Sequence, residues 1–190
     1  MKRKVIALTG KIGSGKSAVS RILRNLGYET VDCDELAKQV AKKPEVVKRV
    51  EQLLGSECVV DGELNRKAIR ETVFSDANLL KQYEQIFFDG VKALLTEKLA
   101  TLKDAKAVFV EIPVLDAFFF NWDEIWRVES SEQACISRVV KRDNVSAENA
   151  CATLNSQKVY SCTYVIENNG SMEQLEEAVH IILSKTFDIK

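Results

Sequence analysis

A glycine-rich segment near the amino terminus has the composition of a phosphate-binding loop. Gly10-Lys11-Ile12-Gly13-Ser14-Gly15-Lys16-Ser17 satisfies the pattern G-x-x-x-x-G-K-S/T. In such a loop the glycines let successive backbone N–H groups converge on a phosphate, and the helix that follows adds its positive N-terminal dipole. Lys16 is expected to reach the β and γ phosphates of a nucleotide, and Ser17 to hold Mg²⁺. The motif therefore predicts that all eight residues bind nucleotide phosphates.

Two aspartates come at the end of the next apolar segment. Asp32 and Asp34 follow a predicted short strand, and in an open parallel sheet ligands bind at the carboxyl ends of the strands. A carboxylate there can accept the proton of an attacking hydroxyl while a lysine neutralises the transferred phosphoryl group. We interpret Asp34 as a general base and assign Asp32, with Ser17, to Mg²⁺. The alternative for Asp34 is to cap a helix that begins at Glu35.

A second group of charged residues lies further along the chain. Arg138 and Arg142 are four residues apart and so share one face of a predicted helix. Two guanidinium groups together suit the bidentate binding of phosphate oxygens. The alternative is a solvated basic face that pairs with Asp143 or Glu148. Glu111, at the end of a buried strand, is a candidate to orient Mg²⁺ through water, or else a capping or salt-bridging residue.

Short apolar segments that alternate with helical patterns must position these residues. The apolar and β-branched composition predicts strands at 5–9, 29–32, 107–112, 124–129 and 164–167. Alternation of this kind predicts an α/β fold with a parallel sheet covered on both faces.

Helical periodicity fills most of the rest of the chain. It predicts helices at about 17–26 and 35–42 and through most of 44–102, where an Asp61-Gly62 turn separates two apolar stripes. Capping-box spacing of Ser130 with Gln133, and of Ser171 with Gln174, predicts two further helix starts. The 44–102 helices are expected to form an insertion in the sheet domain.

The composition excludes several classes of protein. A length of 190 residues fits one domain, and 27 basic against 28 acidic residues leave no overall field for nucleic acid or an anionic membrane. The apolar runs are far shorter than the ~20 residues of a membrane-spanning helix. Five scattered cysteines and one histidine argue against a zinc site or a disulfide framework. We expect a cytoplasmic protein with no nucleic-acid, membrane or obligate protein partner.

The motifs, taken in order, resemble the dephospho-coenzyme A (dephospho-CoA) kinase family. Residues 6–17 are similar to the family's opening strand and loop, and Val31-Asp32-Cys33-Asp34 to its Asp-x-Asp segment. The further matches are Asp61-Gly62-Glu63-Leu64-Asn65-Arg66 with Phe74, Ile112-Pro113-Val114-Leu115, Arg138 with Arg142-Asp143, and Ile166-Glu167-Asn168-Asn169-Gly170. The resemblance spans about 6–170.

The resemblance implies a three-layer phosphate-loop kinase fold with a five-stranded parallel sheet. The single domain, 1–190, would comprise a core (about 1–34, 103–137 and 161–190), a helical substrate-binding insertion (about 35–102) and a lid (about 138–160). The implied activity is the ATP- and Mg²⁺-dependent phosphorylation of the ribose 3′-hydroxyl of dephospho-CoA.

The resemblance also implies roles for individual residues. Asp34 matches the catalytic base, Lys16 and Ser17 match the phosphate and Mg²⁺ ligands, and Arg142 matches a lid arginine that closes on ATP. The remaining nucleotide-site residues are Arg138, Asn168 and Gly170.

The sequence departs from the family pattern at two places. Phe88 and Asp89 stand where the family usually has a His-Pro pair, and the segment between Gln157 and Asn168 is several residues shorter, with fewer cations. Fewer lid cations should stabilise the charge of the transition state less well. Two alternatives to dephospho-CoA phosphorylation therefore remain: a kinase of another small alcohol or nucleotide, and a nucleotide-binding regulatory protein without turnover.

Overall fold

The computed structural model describes residues 3–73, 76–117 and 120–187. Phe74, which belongs to the family resemblance, lies outside these residues. The chain divides into two compact units. The first unit comprises Met1–Val31 and Leu102–Lys190, and the second comprises Asp32–Thr101.

Within the described residues the strands form one five-stranded sheet and one two-stranded hairpin. They are β1 (Lys4–Thr9), β2 (Glu29–Asp32), β3 (Val59–Val60), β4 (Glu63–Leu64), β5 (Ala107–Glu111), β6 (Glu124–Glu129) and β7 (Tyr164–Glu167). The sheet order is β2-β5-β1-β6-β7, and the hairpin joins β3 to β4. β1 pairs in parallel with β5 and β6, and β6 pairs in parallel with β7. The predicted α/β fold with a five-stranded parallel sheet is confirmed.

The described part of the chain also contains eight α-helices and a short 3₁₀ helix at Ser56–Cys58. The α-helices are α1 (Lys16–Asn25), α2 (Cys33–Val40), α3 (Pro44–Leu54), α4 (Arg66–Val73), α5 (Ala77–Thr101), α6 (Glu132–Asp143), α7 (Ala147–Ser156) and α8 (Met172–Phe187). None of them combines the length and the apolar character that crossing a bilayer requires.

The core of the first unit lies on the central strands. Val5 and Ala7 point to one face of β1 and Ile6 and Leu8 to the other, and all four are buried. Burial on both faces explains why β1 is a continuous apolar run. Phe109 of β5 is completely buried, and its ring lies 4.9 Å from that of Trp126 and 5.5 Å from that of Tyr28. The central strands β1, β5 and β6 are therefore held by a closely packed core.

Two helix starts differ from the sequence prediction. The N-cap of α6 is Ser131, whose hydroxyl accepts the N–H of Ala134, and not Ser130. The side chain of Ser130 turns to other partners, described below. The cap of α2 is Asp32, so the helix begins at Cys33 instead of Glu35. By contrast, the predicted capping box of α8 is confirmed, since the side chains of Ser171 and Gln174 bind each other's backbone N–H.

The second unit is a helical assembly with its own core. The predicted apolar stripe of α3 is buried at Val46, Val47, Val50 and Leu54. α2 packs closely on α5, where a Cβ on Gly90 would come within 2.7 Å of the side chain of Val40. The predicted Asp61-Gly62 turn joins β3 to β4, and both residues have positive φ, as a type I′ turn requires.

The aromatic cluster of the sheet gives a stability prediction. We expect Phe109→Ala to lower the free energy of unfolding by about 3–5 kcal/mol, because the cavity that it leaves is enclosed by Tyr28 and Trp126. Urea unfolding followed by circular dichroism measures this change. Ile181→Ala, at a side chain that is 49% exposed, is the control and should stay within about 0.5 kcal/mol of the native protein. Equal effects of the two substitutions would contradict the packing described here.

Candidate active site

The glycine-rich segment forms the connection between β1 and α1. Gly13 and Gly15 have φ angles of 76° and 102°, which only glycine adopts readily. A Cβ on Gly13 would lie 2.5 Å from the carbonyl oxygen of Cys135, and one on Gly15 would overlap the side-chain amide of Asn168. The loop can therefore lie directly against α6 and the segment after β7 only because these positions carry no side chain.

Donors from three other segments bind the carbonyl groups of the loop. The carbonyl oxygen of Ser14 accepts from Nδ2 of Asn168 at 2.8 Å, from Oγ of Ser130 at 3.0 Å and from Nη1 of Arg138 at 3.3 Å. The same Nη1 donates to the carbonyl oxygen of Gly13 at 3.0 Å. Arg138 and Asn168 thus contact the loop through its backbone, and Asn168 is itself buried.

The lysine of the motif extends over the loop. Nζ of Lys16 donates to the carbonyl oxygen of Gly10 at 2.8 Å and to that of Lys11 at 3.3 Å. The N–H of Ser14 closes the turn by donating to the carbonyl oxygen of Lys11 at 3.1 Å. The ammonium group is therefore held within the loop, where a phosphate would meet the backbone N–H groups.

The hydroxyl of Ser17 is bonded to an acidic residue of the central sheet. Oγ of Ser17 donates to Oε1 of Glu111 at 2.9 Å, and Oγ of Ser20 donates to Oε2 at 2.8 Å. β5 ends at Glu111 beside β1, which places its carboxylate at the edge where the loop begins. Hydroxyl and carboxylate oxygens are hard donors of the kind that Mg²⁺ prefers, and Mg²⁺ needs few protein ligands because it keeps waters and phosphate oxygens. Ser17 and Glu111 therefore fit a magnesium ion.

The two aspartates of the Asp-x-Asp segment have different surroundings. Oδ1 of Asp32 accepts the N–H groups of Asp34 at 2.8 Å and Glu35 at 3.4 Å, which makes Asp32 the cap. The capping role that was the alternative for Asp34 thus falls to Asp32. Asp34 lies in the first turn of α2.

Asp34 lines a cavity of about 460 Å³ within the second unit. Its other polar lining side chains are Lys38, Arg66, Arg70 and Tyr83. Lys38 is bound to Glu35, whose hydrogen bond and charge raise the pKa of this lysine. Burial raises the pKa of Tyr83, which remains a neutral phenol at physiological pH. The cavity thus combines one carboxylate with three cations, an arrangement suited to an anionic ligand that carries a hydroxyl group.

The two arginines of α6 have separate partners. The guanidinium of Arg138 contacts the phosphate loop, whereas Nε and Nη2 of Arg142 each donate to the carboxylate of Asp143 at 2.7 Å. This hydrogen bond lowers the pKa of Asp143. The alternative interpretation of these arginines was a solvated basic face that pairs with Asp143 or Glu148, and Arg142 does pair with Asp143. The described contacts thus give the two guanidinium groups different partners.

The segment that follows α7 is bonded to other parts of the first unit at several points. Oε1 of Gln157 accepts the N–H of Ile12, within the phosphate loop, at 2.6 Å. The carboxylate of Asp116 accepts from Nζ of Lys158 and from the hydroxyl of Tyr160, both at 2.6 Å. Nη1 of Arg127 donates to the carbonyl oxygen of Tyr160 at 2.5 Å. The end of the predicted lid is therefore in contact with both the loop and the sheet.

Two pKa values follow from these contacts. The hydrogen bonds from Lys158 and Tyr160 hold the pKa of Asp116 below its usual range. Burial, together with the hydrogen bond to Asp116, raises the pKa of Tyr160 to about 12. Both groups thus keep their charge states, anionic Asp116 and neutral Tyr160, throughout the physiological range.

A cavity of about 230 Å³ lies beside the loop, bounded by this segment. Gly10, Lys11 and Ser14 form one wall, and 158–160 with the end of β6 form another. The hydroxyl of Ser14 is buried, and the described residues give it no hydrogen-bond partner. The cavity therefore has a polar group available next to the phosphate loop.

Gly170, which the sequence assigned to the nucleotide site, lies against the side chain of Gln174 at the start of α8. A Cβ at this position would overlap the side chain of Gln174, which closes the capping box of α8. Its neighbour Asn169 accepts the N–H of Ser131 at 2.7 Å and so connects the segment after β7 to the start of α6.

The chain is similar to known dephospho-CoA kinases. A family model described as dephospho-CoA kinase matches residues 4–174. A dephospho-CoA kinase of Thermus thermophilus is 38% identical over 191 residues, which cover 95% of this chain and 91% of the relative.

The chain belongs to the dephospho-CoA kinase family.

Solved structures extend the similarity to the fold. A crystal structure of a Thermus thermophilus protein matches with a TM-score of 0.84 and 34% identity over 97% of this chain and 98% of the other. A dephospho-CoA kinase from Campylobacter jejuni has the same fold, with a TM-score of 0.63 and 24% identity over 96% and 97% of the two chains. The phosphate-loop kinase fold expected from the sequence is therefore confirmed.

Phe88 and Asp89, which stand where the dephospho-CoA kinase family usually has a His-Pro pair, lie on α5. Oδ1 of Asp89 accepts from Nε2 of Gln85, one turn earlier on the same helix, at 2.9 Å. Phe87, the neighbour of Phe88, lines the cavity that contains Asp34.

Sequence reasoning missed several residues that the structure brings to the site. Ser20 is three residues from Ser17 on α1, so helical spacing alone could have placed it on the same face. Gln157 and Asp116 act through contacts with residues far away in the chain, and no local pattern marks them. Ser130 has capping-box spacing, but this pattern predicted a helix cap and not the contacts of its side chain with the loop.

The crowding at Gly13 gives a prediction on nucleotide binding. We expect Gly13→Ala to weaken the binding of Mg-ATP at least tenfold, because the new methyl group would displace the loop from Cys135. Isothermal titration calorimetry measures this affinity. Gly27→Ala is the matched control, since Gly27 also has positive φ (82°) but no atom within 4 Å of its Cβ position. It should cost about 1 kcal/mol of stability and leave Mg-ATP binding intact. Native affinity in Gly13→Ala would contradict the described loop geometry.

The low pKa of Asp116 gives a prediction on pH. A carboxyl group whose pKa is lowered in the folded state stabilises the protein above its unfolded pKa of about 3.9, and this contribution is lost as the pH falls through the folded value. Asp116→Asn should therefore melt at a slightly lower temperature than the native protein at pH 7, and the difference should shrink once the pH falls below the unfolded pKa. The effect is small because the side chain is 49% exposed. Thermal melts across this range test it, and a constant difference would argue against the ion pair.

Proposed function

We propose that this protein transfers the γ-phosphoryl group of ATP to the ribose 3′-hydroxyl of dephospho-CoA, giving CoA and ADP. The observation that carries the proposal is the phosphate loop between β1 and α1, with Ser17 bonded to Glu111, in a chain of the dephospho-CoA kinase family. The loop accounts for the nucleotide, and the family for the acceptor.

The first unit binds the nucleotide in this proposal. The backbone N–H groups of 13–17 surround the phosphates, and Lys16 releases its contacts with the loop carbonyls to neutralise the transferred group. Ser17 and Glu111 hold Mg²⁺, with Asp32 as the further acidic residue that we assigned to it. Bound Mg²⁺ supplies charge neutralisation at the β and γ phosphates. Arg142 closes on ATP from the lid after exchanging Asp143 for a phosphate oxygen.

The second unit provides the base and recognises the acceptor. Asp34 accepts the proton of the 3′-hydroxyl as the new O–P bond forms, and ADP leaves with the bridging oxygen. Arg66 and Arg70, which line the same cavity, are suited to bind the diphosphate of dephospho-CoA. The apolar wall formed by Ile69, Val73 and Phe87 gives the acceptor a contact surface in place of the family's His-Pro pair.

The shortened lid retains one route for excluding water. Gln157, Lys158 and Tyr160 connect its end to the loop and to Asp116, so the 158–160 wall beside the phosphates is in place without the missing basic residues. Exclusion of water protects ATP from hydrolysis. The proposed roles of 35–102 as acceptor insertion and of 138–160 as lid follow from these assignments.

The cellular setting is also proposed. None of the five cysteines, all of which lie within the described residues, forms a disulfide, and this is compatible with a reducing compartment. We place the enzyme in the cytoplasm, acting on small molecules without an obligate protein partner.

Direct detection of CoA tests the proposed function. The purified protein is incubated with Mg-ATP and dephospho-CoA, and product is followed by mass spectrometry. We expect the native chain to form CoA, and Asp34→Asn and Lys16→Ala each to lower kcat by about 10²–10⁴-fold, because the base or the phosphate cation is removed.

Matched controls separate these losses from unfolding. Asp61→Asn, in the hairpin turn, and Lys48→Ala, on the exposed side of α3, make the same chemical changes away from the site and should keep native rates. Phosphorylation of another alcohol without CoA formation would show that dephospho-CoA is not the acceptor, although the protein would still be a kinase. ATP binding without any transfer would instead indicate a regulatory protein, and an active Asp34→Asn would remove Asp34 from the role of base.

A further inference from the structure

Ser130 lies where four segments of the first unit meet beneath the phosphate loop. Its Oγ accepts from Nη1 of Arg138 at 2.8 Å and lies 2.6 Å from the carbonyl oxygen of Asn168 and 3.0 Å from that of Ser14. A hydroxyl has one hydrogen, so it donates to one of these two carbonyls at a time and accepts from Arg138 in either state. Ser130 therefore fixes the position of the guanidinium group.

The guanidinium group carries this constraint to the loop. Besides Ser130, Nη1 of Arg138 contacts the carbonyl oxygens of Gly13 and Ser14, and Nη2 donates to the carbonyl oxygen of Asn168 at 3.1 Å. A guanidinium is a rigid planar fork, so fixing one nitrogen fixes the directions of the others. We call Ser130, Arg138 and Asn168 the carbonyl bracket.

The bracket determines the orientation of one peptide group in the loop. The peptide that joins Ser14 to Gly15 is planar and trans, so its N–H points opposite to its C=O. All three bracket residues donate to this C=O or lie within hydrogen-bond distance of it. The N–H of Gly15 consequently points away from the bracket, toward the side on which a phosphate-binding loop presents its donors.

We propose that Ser130 is a positioning residue for the phosphates of the nucleotide. It acts through Arg138 and the Ser14 carbonyl and holds the N–H of Gly15 in its binding orientation before the nucleotide arrives. This role of Ser130 rests on the proposed function in one respect, which is that the bound nucleotide is Mg-ATP. It also gives Arg138 a function in the free protein, as a support of the loop.

The adjacent serine provides a matched control. Ser131 accepts the N–H of Ala134 and caps α6, but the structure gives its side chain no contact with the loop among the described residues. Loss of a cap destabilises a helix without altering phosphate recognition. Comparison of the two serines therefore separates a positioning role from a structural one.

Calorimetric titrations of four proteins test the proposal: native, Ser130→Ala, Ser130→Thr and Ser131→Ala. The probes are Mg-ATP, inorganic triphosphate and adenosine. We expect Ser130→Ala to raise the Kd for Mg-ATP and for triphosphate about tenfold, with adenosine affinity unchanged. Ser130→Thr keeps the hydroxyl and should restore affinity to within about threefold. Ser131→Ala should lower Tm and leave the Kd values unchanged.

The proposal is overturned if Ser130→Ala binds Mg-ATP like the native protein, if adenosine binding falls equally, or if Ser131→Ala shows the same loss. Should Ser130→Ala not fold, Ser130→Cys keeps the size of the side chain and weakens both hydrogen bonds, and native affinity in that variant overturns the proposal as well. CoA formation is assayed separately. Absence of CoA with the expected binding pattern would reject the proposed function alone, whereas CoA formation with unchanged binding would reject the positioning role alone.

Discussion

The carbonyl group of Ser14 is the point on which the nucleotide site depends. The loop that contains it has two glycines with positive φ and could adopt many conformations in isolation. Asn168, Ser130 and Arg138 come from the ends of two strands and from α6, and all three contact this one oxygen. Because those strands belong to a sheet buried on both faces, the packing of the core is transmitted to the loop.

The same sheet explains how the remaining chemistry is arranged in the first unit. β5 lies beside β1, so that Glu111 meets the hydroxyl of Ser17, and Ser20 on the next turn holds the second carboxylate oxygen. The segment after α7 binds the loop through Gln157 and the sheet through Tyr160. The bracket thus binds the carbonyl groups of the loop, and Gln157 binds the N–H of Ile12 in the same loop. The second unit, described by itself, contains the carboxylate of Asp34 in a cavity that is also lined by Lys38, Arg66 and Arg70.

Local sequence signals predicted the elements and the motif but not the contacts between them. The pattern of apolar and β-branched residues was sufficient to predict the five strands of the sheet. Capping-box spacing was sufficient to predict Ser171 as the cap of α8. Local signals wrongly indicated Ser130 as the cap of α6, because Ser130 has capping-box spacing with Gln133. The cap is Ser131, since the side chain of Ser130 is bonded to Arg138 and Asn168. Helical spacing correctly put Arg138 and Arg142 on one helix. The partners of Arg138 were not predictable, because the two loop carbonyls that it binds, those of Gly13 and Ser14, lie more than 120 residues away in the chain. The pairing of Asp116 with Lys158 spans 42 residues and has the same explanation.

Nuclear magnetic resonance of ¹⁵N-labelled protein tests most directly whether the bracket holds the loop in its binding conformation before the nucleotide arrives. The side-chain amide of Asn168 and the backbone N–H of Gly15 are followed while Mg-ATP is added. We predict that the Asn168 amide has the shift of a hydrogen-bonded group in the free protein and keeps it, while the Gly15 N–H moves strongly as it binds phosphate. An Asn168 amide that is averaged in the free protein and becomes ordered only with Mg-ATP would contradict the account, because the nucleotide would then build the site.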